Sequence, residues 1–559
     1  MTNDSFETIS AGSPKNFSPA SVSFSNASPW GIASGAEESH RYPEFLPLLK
    51  KAGVTWLRYF PEWGTVQRKE GEWDFSWGDG LVKACREQGI NLTGIFLYFA
   101  PWASSDNSSR GFPVRSLQSW SDYVYRTVSR YRDDVQYWEI WNEGNSPVFN
   151  HHGSPKDYSN MVCAAYNAGK AANPNAKFGI TCAAFDLHYF DQVIKAGAAG
   201  HFDYICVHPY DSIGYTFGAE DRYLAMAGNV RAMLAANNQD SKMPIWITEI
   251  GLTTTETQEQ QRRQANALVR SYVLNIAQGI EKTFWFEAAG PKYGEGVHAI
   301  LTDDMQPRAA YNALAKLAGH LGPEPHFLGW RREEDGTLRF AFDNNGRTAL
   351  VQWHDDSDPI CSYPDADITL NSPGISLGQD FSSSNEITCH LGETNLENGL
   401  RQGSNDPRAD GVTIPGGDSC GTTWRSSDLR NRRPFIYFDI DPSFAGWNDR
   451  VFEITVTARR ANPDVPAVCT LVYESVTGYH EYGKRTTTPG LNTELLYESE
   501  NWRAPDLWYL DRGDAWQTHT WRIEDACFIG KWGWHFQLNA EMSSGDISVS
   551  EIRVKKKSI

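Results

Sequence analysis

Residues 135–145 read VQYWEIWNEGN, an apolar and aromatic run that ends abruptly in Asn142, Glu143, Gly144 and Asn145. Such a run predicts a strand buried on both faces, with a carboxylate at its C-terminal tip. Charged side chains are rarely buried without a partner, so Glu143 is explained either by solvent or by a function. Taken alone, the position favours a solvated residue at the start of a loop, and only the rest of the chain can decide.

Similar runs recur along residues 29–322, and each is followed by a helical pattern. Besides the stretch above, the expected strands are WGIAS (30–34), WLRYF (56–60), NLTGIFLYF (91–99), KFGITCAA (177–184), FDYICVHPY (202–210), PIWITEIGL (244–252) and KTFWFEAAG (282–290). Eight strand–helix units predict an α/β fold with a (β/α)₈ TIM barrel. In that fold the site residues lie at the C-terminal ends of the strands.

After residue 322 the helical pattern stops. Residues 323–372 predict a small β-hairpin domain beside the barrel. Residues 373–559 predict an antiparallel β-sandwich or jelly roll, which would suit carbohydrate binding, although its aromatic residues suit a sandwich core better. Residues 1–28 are polar and lack the basic and apolar regions of an intact signal peptide. The localisation is therefore secreted or periplasmic if a signal peptide has been cleaved, and cytoplasmic otherwise.

The composition argues against several classes of function. A net charge of −18 disfavours nucleic acid and anionic membrane surfaces as partners, and no run is apolar and long enough to span a membrane. The chain has 21 Trp and 24 Tyr, whose flat apolar faces suit sugar rings as well as sandwich cores. The nine cysteines form no CxxC pair, so no metal or cofactor is expected, while a disulfide in the second half is compatible with the sequence. A homo-oligomer is equally compatible with it.

Polar and aromatic side chains close several of the expected strands. Strand two offers Arg58, strand six His208 and Tyr210, strand seven Glu249, and strand eight Trp285. A barrel brings the C-terminal ends of its strands to one mouth, so we expect these side chains to line a common site together with Glu143.

Two carboxylates at one barrel mouth, Glu143 and Glu249, are what glycoside hydrolysis requires. One carboxylic acid protonates the departing oxygen, and the other group stabilises or attacks the anomeric carbon. A separation of about 5–5.5 Å allows direct attack with retention of configuration, whereas a wider gap admits a water molecule and gives inversion.

WEIWNEGN (138–145) resembles the acid/base motif of the clan A retaining glycoside hydrolases, and WITEIGL (246–252) resembles the nucleophile motif of the same clan. Family 39 and its neighbours are the most similar. Gly144 stands where proline is usual, and Ile250 stands where tryptophan is expected after the nucleophile. The resemblance covers residues 29–322.

The resemblance implies a role for each matched residue. Glu249 is the nucleophile, and Glu143 is the general acid and then the base for the attacking water. Asn142 binds the substrate 2-hydroxyl. Arg58 and Tyr210 keep Glu249 ionised through charge and hydrogen bonding.

Aromatic residues complete the expected site. The resemblance implies that Trp285 is a platform for a sugar ring and that His208 contacts either the substrate or the groups behind it. Tyr98, Trp102 and Trp30 are further candidates for substrate binding, although Trp30 is almost equally expected in the core.

The resemblance thus implies an exo-acting retaining glycosidase for a β-type bond in plant or microbial oligosaccharides. An endo-acting glycanase or a transglycosidase with the same catalytic pair is the first alternative. A carbohydrate-binding protein that has lost catalysis is the second, and the presence of Asn142 and both carboxylates counts against it.

Three further expectations concern side-chain direction. Glu139 is expected to be buried in the barrel and paired with an Arg or Lys. His151 and His152 are adjacent, so their side chains are expected to point apart, which disfavours a metal site. Asn142 and Glu143 are also adjacent yet both are needed at the substrate, which predicts an irregular strand end.

Overall fold

A computed structural model of the protein describes residues 27–34, 41–290, 292–293, 296–364, 368–371, 379–403, 410–476, 502–503, 507–531 and 533–557. Residues 1–26 of the expected polar N-terminal segment lie outside the described residues. Part of the loop that follows the eighth strand does so as well.

Eight parallel strands close into a barrel in chain order, which confirms the expected fold class. They are β1 (Trp30–Ala33), β2 (Trp56–Arg58), β3 (Asn91–Phe96), β4 (Tyr137–Ile140), β5 (Lys177–Ala183), β6 (Tyr204–His208), β7 (Ile245–Ile250) and β8 (Lys282–Phe286). The expected strands extend beyond these bounds mainly at their C-terminal ends, where the chain leaves the sheet to build the mouth of the barrel.

Helices cover the outside of the barrel. They are α1 (Tyr42–Lys51), α2 (Trp63–Val66), α3 (Ser76–Gln88), α4 (Leu117–Arg130), α5 (Pro155–Ala172), α6 (Leu187–Val193), α7 (Glu220–Tyr223), α8 (Met226–Ala236), α9 (Gln258–Ala277) and α10 (Ala309–Leu321). Short 3₁₀ segments follow β3 (Pro101–Ala103) and β6 (Tyr210–Thr216) at the barrel mouth.

Local sequence signals set the helix ends. The Ser154 side chain accepts a hydrogen bond from the Asp157 backbone, and the Asp157 side chain accepts one from the Ser154 backbone, which forms a capping box. Pro155 occupies the first turn of α5, where its missing N–H costs nothing. At the other end of a helix, Gly89 closes α3 in the left-handed conformation, with φ 68°.

Antiparallel sheets follow the barrel, as expected. A two-stranded hairpin after β8 contributes β9 (Lys292–Tyr293) and β10 (Gly296–Val297), and a four-stranded sheet contributes β11 (His326–Arg332), β12 (Leu338–Asn344), β13 (Arg347–Trp353) and β14 (Ile360–Ser362). Two further sheets pack their apolar faces together over residues 386–556. The domain boundaries given above stay a prediction.

The two sheets of this sandwich are assigned by their pairing. One contains β15 (Glu386–His390), β16 (Leu396–Asn398), β18 (Ile414–Gly417), β19 (Thr423–Ser426), β21 (Phe452–Arg460), β25 (Gln517–Ile523) and β27 (Ile547–Lys556). The other contains β17 (Leu400–Gln402), β20 (Phe435–Ile440), β22 (Ala467–Glu474), β23 (Trp502–Arg503), β24 (Leu507–Leu510) and β26 (Phe536–Asn539).

Strand alternation divides the barrel aromatics between two layers. On β8, Phe284 packs with Trp56 and Trp246 inside the barrel, and Phe286 borders the same cluster. Trp285 lies between them in sequence, so it points outward into the large core beneath the helices, where it is fully buried. The expectation that Trp285 offers a face to a sugar ring is therefore wrong for this structure.

Trp30 is also a core residue. Its side chain is fully buried, its ring lies 5.4 Å from that of Tyr272 on α9, and its Nε1 donates to the Gly322 carbonyl at 2.8 Å. The prediction that Trp30 contacts the substrate is wrong, because β1 directs this side chain to the helical layer and away from the mouth.

All nine cysteines lie within the described residues and are free thiols, so the structure forms none of the disulfides that the sequence permits. Among the described helices, none has the length and apolarity needed to cross a bilayer.

We expect Trp30→Ala to lower the free energy of unfolding by about 3–5 kcal/mol, because it empties a large volume in the core. Urea unfolding measures this change. Leu396→Ala, at a side chain that is 69% exposed, serves as the control and should change the unfolding free energy by less than about 0.5 kcal/mol. Equal, small effects of both substitutions would contradict the placement of Trp30 in the core.

Candidate active site

The acid/base candidate stands on an irregular strand end, as predicted. β4 stops at Ile140, and Trp141 and Glu143 adopt positive φ angles of 67° and 49°. From β5, Thr181 donates through its hydroxyl to the Trp141 carbonyl at 3.2 Å and accepts from the Glu143 backbone N–H at 3.1 Å. This backbone conformation directs Asn142 and Glu143 to the mouth together, although they are neighbours.

β7 also has an irregular end that brings two consecutive side chains to the mouth. Its register against β8 shifts between Ile247 and Ile250, which leaves room for two consecutive residues to face the mouth. Thr248 then contacts His208 at 3.0 Å, and Glu249 contacts Arg58.

Arg58 joins three strand ends. Its Nη1 donates to Glu249 Oε1 at 2.5 Å, its Nε to Glu139 Oε2 at 2.8 Å, and its Nη2 to Asn142 Oδ1 at 2.8 Å. The second oxygen of Glu249 accepts a hydrogen bond from the Tyr210 hydroxyl at 2.9 Å. The expectations that Glu139 pairs with a cation inside the barrel and that Arg58 and Tyr210 hold Glu249 both agree with these contacts.

The surroundings of Glu249 favour its charged form. Burial would by itself raise its pKa, but the neighbouring His208 and the charge of Arg58, together with hydrogen bonds from Tyr210 and Arg58, outweigh burial and hold the pKa below its usual value. Burial would lower the pKa of Arg58, but the charges of Glu139 and Glu249 outweigh it and raise that pKa. At neutral pH the site therefore contains the ionised carboxylate of Glu249 paired with the permanent cation of Arg58.

Glu143 has a different neighbour. His208 is fully buried and lies with Nδ1 2.7 Å from Glu143 Oε1 and with Nε2 3.0 Å from the Thr248 hydroxyl. The same Nδ1 is 3.8 Å from Glu249 Oε2. One oxygen of Glu143, one of Glu249 and one nitrogen of His208 all lie within 4.8 Å of one another. The two carboxyl groups and the imidazole therefore face one common space at the mouth of the barrel.

One aromatic wall of the mouth surrounds Tyr98. Its hydroxyl accepts a hydrogen bond from Asn142 Nδ2 at 3.4 Å, and its ring stacks on Phe149 with centroids 5.6 Å apart. The Arg110 guanidinium lies 4.2 Å from the Tyr98 ring centroid. Trp102 is partly exposed farther along the same loop, with Nε1 bonded to the Gln67 carbonyl at 2.9 Å. The substrate-binding roles of Tyr98 and Trp102 stay predictions.

The opposite wall contains two residues that the sequence did not suggest. Phe286 is partly exposed at the end of β8, with its ring centroid 6.5 Å from that of Tyr210 and 5.6 Å from that of His298. Burial lowers the pKa of His298 to about 4, against the opposing effect of Glu249, so this imidazole is neutral at neutral pH. Strand alternation could have identified Phe286, whereas His298 lies in a loop where no such periodicity applies.

The sandwich contacts the segment that follows Glu143 through a chain of buried polar side chains. Asn145 accepts a hydrogen bond from the Ala183 backbone N–H at 2.7 Å and donates to Asp186 Oδ2 at 2.9 Å. The same Asp186 oxygen binds Lys531 Nζ of the sandwich at 2.7 Å, and both side chains are fully buried. Burial would raise the pKa of Asp186, but the charge of Lys531 outweighs it and lowers that pKa.

The buried carboxyl group of Glu474 fixes the backbone at Lys531. Glu474 accepts three backbone hydrogen bonds, from Ile529 at 2.9 Å, Gly530 at 3.1 Å and Lys531 at 2.6 Å. Burial raises the pKa of Glu474 to about 8, although these hydrogen bonds and Lys531 oppose the increase. A second contact of the sandwich reaches the segment after β6, where the Tyr215 hydroxyl donates to Asp439 at 2.9 Å.

Two groups of described side chains have the spacing of metal ligands. The first is Glu143, His208 and Glu249, whose atoms already bond to one another and to the cation of Arg58, an arrangement suited to proton transfer. The second group lies at the rim of the mouth: Asp106, His151 and His152. The expectation that the two histidines point apart is wrong, since both imidazoles reach Asp106.

No family model matches the chain. A curated relative, an endo-1,4-beta-xylanase/feruloyl esterase of Xylanibacter ruminicola, is 34% identical over 87 residues. The match covers 14% of this chain and only 12% of that protein.

Solved structures with a similar course of the chain include several glycosidases. A family 39 glycoside hydrolase of Bacteroides cellulosilyticus WH2 has 18% identity and a TM-score of 0.49, covering 71% of this chain and 79% of that one. A monomeric beta-xylosidase of Caulobacter crescentus CB15 has 14% identity and a TM-score of 0.45, covering 95% and 98%. A glucosidase of Croceicoccus marinus has 14% identity and a TM-score of 0.44, covering 95% and 96%. The activities named belong to those proteins.

We expect Lys531→Met to lower the free energy of unfolding by about 3–5 kcal/mol, because it leaves the Asp186 carboxylate buried without its cation. Chemical unfolding followed by tryptophan fluorescence measures the loss, and Lys531→Arg should restore part of it.

Asn229→Ala is the matched control, since it removes only one neutral hydrogen bond between barrel and sandwich, from the Trp447 backbone at 3.0 Å. It should cost about 1 kcal/mol. Indistinguishable results for Lys531→Met and Asn229→Ala would mean that the buried pair does not join the two parts.

Proposed function

We propose that this chain is a retaining glycoside hydrolase that cleaves a β-type glycosidic bond through a covalent glycosyl-enzyme intermediate. The observation that carries the proposal is the placement of one carboxyl oxygen of Glu143 and one of Glu249 within 4.8 Å of each other, on the ends of strands four and seven and in contrasting surroundings. Glu249 is held ionised by Arg58 and Tyr210, whereas Glu143 pairs with an imidazole that can exchange a proton.

In the first step the Glu249 carboxylate attacks the anomeric carbon and forms an ester with it. The bond from that carbon to the glycosidic oxygen breaks, and the Glu143 carboxylic acid gives its proton to the departing oxygen. His208 engages Oε1 of Glu143, so we assign the other oxygen to the leaving group. Glu143 leaves this step as a carboxylate, which the His208 Nδ1–H can stabilise by donation.

In the second step Glu143 acts as a base. It takes a proton from a water molecule, whose oxygen attacks the anomeric carbon from the side that the leaving group vacated. The ester bond to Glu249 breaks, and the carboxylate returns to Arg58 and Tyr210, which stabilise its charge. Two inversions give net retention of configuration.

Substrate contacts follow from what surrounds this pair. Asn142 has its Oδ1 fixed by Arg58, so its Nδ2 is directed into the mouth and is assigned to the sugar 2-hydroxyl. Phe286 replaces Trp285 as the aromatic platform. Tyr98 and Trp102 are assigned to the opposite side of the bound sugar.

The clan resemblance favours exo action on plant or microbial oligosaccharides, and this finer assignment is part of the proposal. Hydrolysis of aryl glycosides and of graded oligosaccharides tests it directly. Release of single sugars from the chain end supports exo action, and early appearance of mid-length products supports the endo-acting alternative. Transfer to an added sugar acceptor instead of water would identify a transglycosidase.

We expect Glu249→Gln to lower kcat at least about a thousandfold, because the attacking carboxylate is lost. A 2-deoxy-2-fluoro glycoside with a good leaving group should label Glu249 in the unaltered protein, as peptide mass spectrometry can verify. NMR of the first-formed product should show retention. Inverted product, or normal turnover by Glu249→Gln, would refute the assignment.

We expect Tyr210→Phe to move the acidic limb of the kcat/KM profile to higher pH. The folded-state pKa of Glu249 is depressed, so activity is present above that pKa and is lost as the pH falls through it. Removing the Tyr210 hydrogen bond raises this pKa, and we expect about a 10- to 100-fold loss of kcat/KM.

Tyr98→Phe is the matched control for this profile. It removes a hydroxyl from the same mouth, but that hydroxyl bonds Asn142 and not Glu249. Its acidic limb should stay where it is. An unmoved limb in Tyr210→Phe, or equal movement in both variants, would contradict the proposed control of Glu249.

A further inference from the structure

Asp106, His151 and His152 meet at the rim of the mouth, where the loops after β3 and β4 come together. His151 Nδ1 lies 3.2 Å from Asp106 Oδ2, and His152 Nε2 lies 3.4 Å from the same oxygen. All three potential ligand atoms lie within 4.8 Å of one another. Two imidazoles thus converge on one carboxylate oxygen from a single loop.

These separations fit a tetrahedral metal ion. Ligand atoms about 2.0–2.1 Å from Zn²⁺ lie about 3.3–3.4 Å apart at a tetrahedral angle. The two distances from Asp106 to His151 and His152 are close to this edge length. Imidazole nitrogen with a carboxylate oxygen is a donor set that suits zinc and similar borderline ions.

Hydrogen bonds to the other oxygen of Asp106, Oδ1, orient the carboxylate for metal binding. The Ser108 backbone N–H donates to Asp106 Oδ1 at 2.8 Å, and the Ser108 hydroxyl donates to the same atom at 2.5 Å. This leaves Oδ2 directed at the histidines.

Solvent can reach the three side chains. Asp106 is 30% exposed, His151 35% and His152 62%. An ion can therefore enter from bulk solvent and complete its coordination with water, without displacing any side chain from the core.

We propose that Asp106, His151 and His152 bind one divalent ion of the zinc type, with water in the remaining position. The ion links the loop after β3 to the loop after β4. The second loop contains Glu143, and Asn150 within the same loop donates to the Gly144 carbonyl at 2.7 Å. The ion thus fixes the rim beside the acid/base segment and takes no part in bond cleavage.

The proposal is independent of the hydrolytic function, so its test measures the metal directly. The full chain is freed of metal with EDTA and titrated with Zn²⁺ by calorimetry, and Co²⁺ is followed by its visible absorption as a reporter of tetrahedral coordination. We expect one saturable equivalent and a rise of the thermal unfolding midpoint with Zn²⁺.

His152→Gln and Asp106→Asn should each weaken Zn²⁺ binding at least about tenfold and abolish the thermal shift. His354→Gln is the matched control, because His354 is an exposed imidazole that faces a single carboxylate, Asp355, at 3.4 Å. It should bind Zn²⁺ as the unaltered protein does.

Absence of saturable binding would overturn the proposal and leave Asp106 and the histidines as a simple hydrogen-bonded cluster. Binding that persists undiminished in His152→Gln would also overturn it, since the ion would then lie elsewhere, for example between the catalytic carboxylates. A loss of binding in all variants, including His354→Gln, would point to nonspecific contacts and would reject the site equally.

Discussion

The candidate site depends on one buried guanidinium. Arg58 lies at the end of the second strand and is 5% exposed, yet it holds acceptors from the fourth and seventh strands through three separate nitrogens. A cation taken out of water is costly unless its donors are satisfied and its charge is matched. Glu139 and Glu249 supply the acceptors that match this cation, so the same interactions that make Arg58 tolerable in the barrel also fix the proposed nucleophile, Glu249.

The different roles that we propose for Glu143 and Glu249 follow from their different neighbours. Glu249 faces a permanent cation and a phenol, and both favour its charged form. Glu143 faces His208, an imidazole whose other nitrogen meets a hydroxyl and which can therefore accept or donate at either end. Two identical side chains in one mouth thus have surroundings that suit the two different roles proposed for them.

The sequence predicts the barrel well, because buried parallel strands are continuous apolar runs, and the polar residues that end these runs include both members of the proposed catalytic pair. The prediction fails where the direction of a side chain decides its role. Trp285 looks like a platform in the sequence, but alternation along β8 turns it outward and brings Phe286 to the mouth instead. Lys531 could not have been found at all, since its partner Asp186 lies 345 residues away and only the folded chain joins them.

That long-range pair has a consequence for how this architecture changes over evolutionary time. The sandwich would ordinarily be regarded as a module that a lineage can lose, gain or exchange. Here it supplies the counter-charge for Asp186, which in turn holds Asn145 two residues after Glu143. Substitutions at Lys531 and Asp186 are therefore expected to be coupled, although the two residues lie in different parts of the chain.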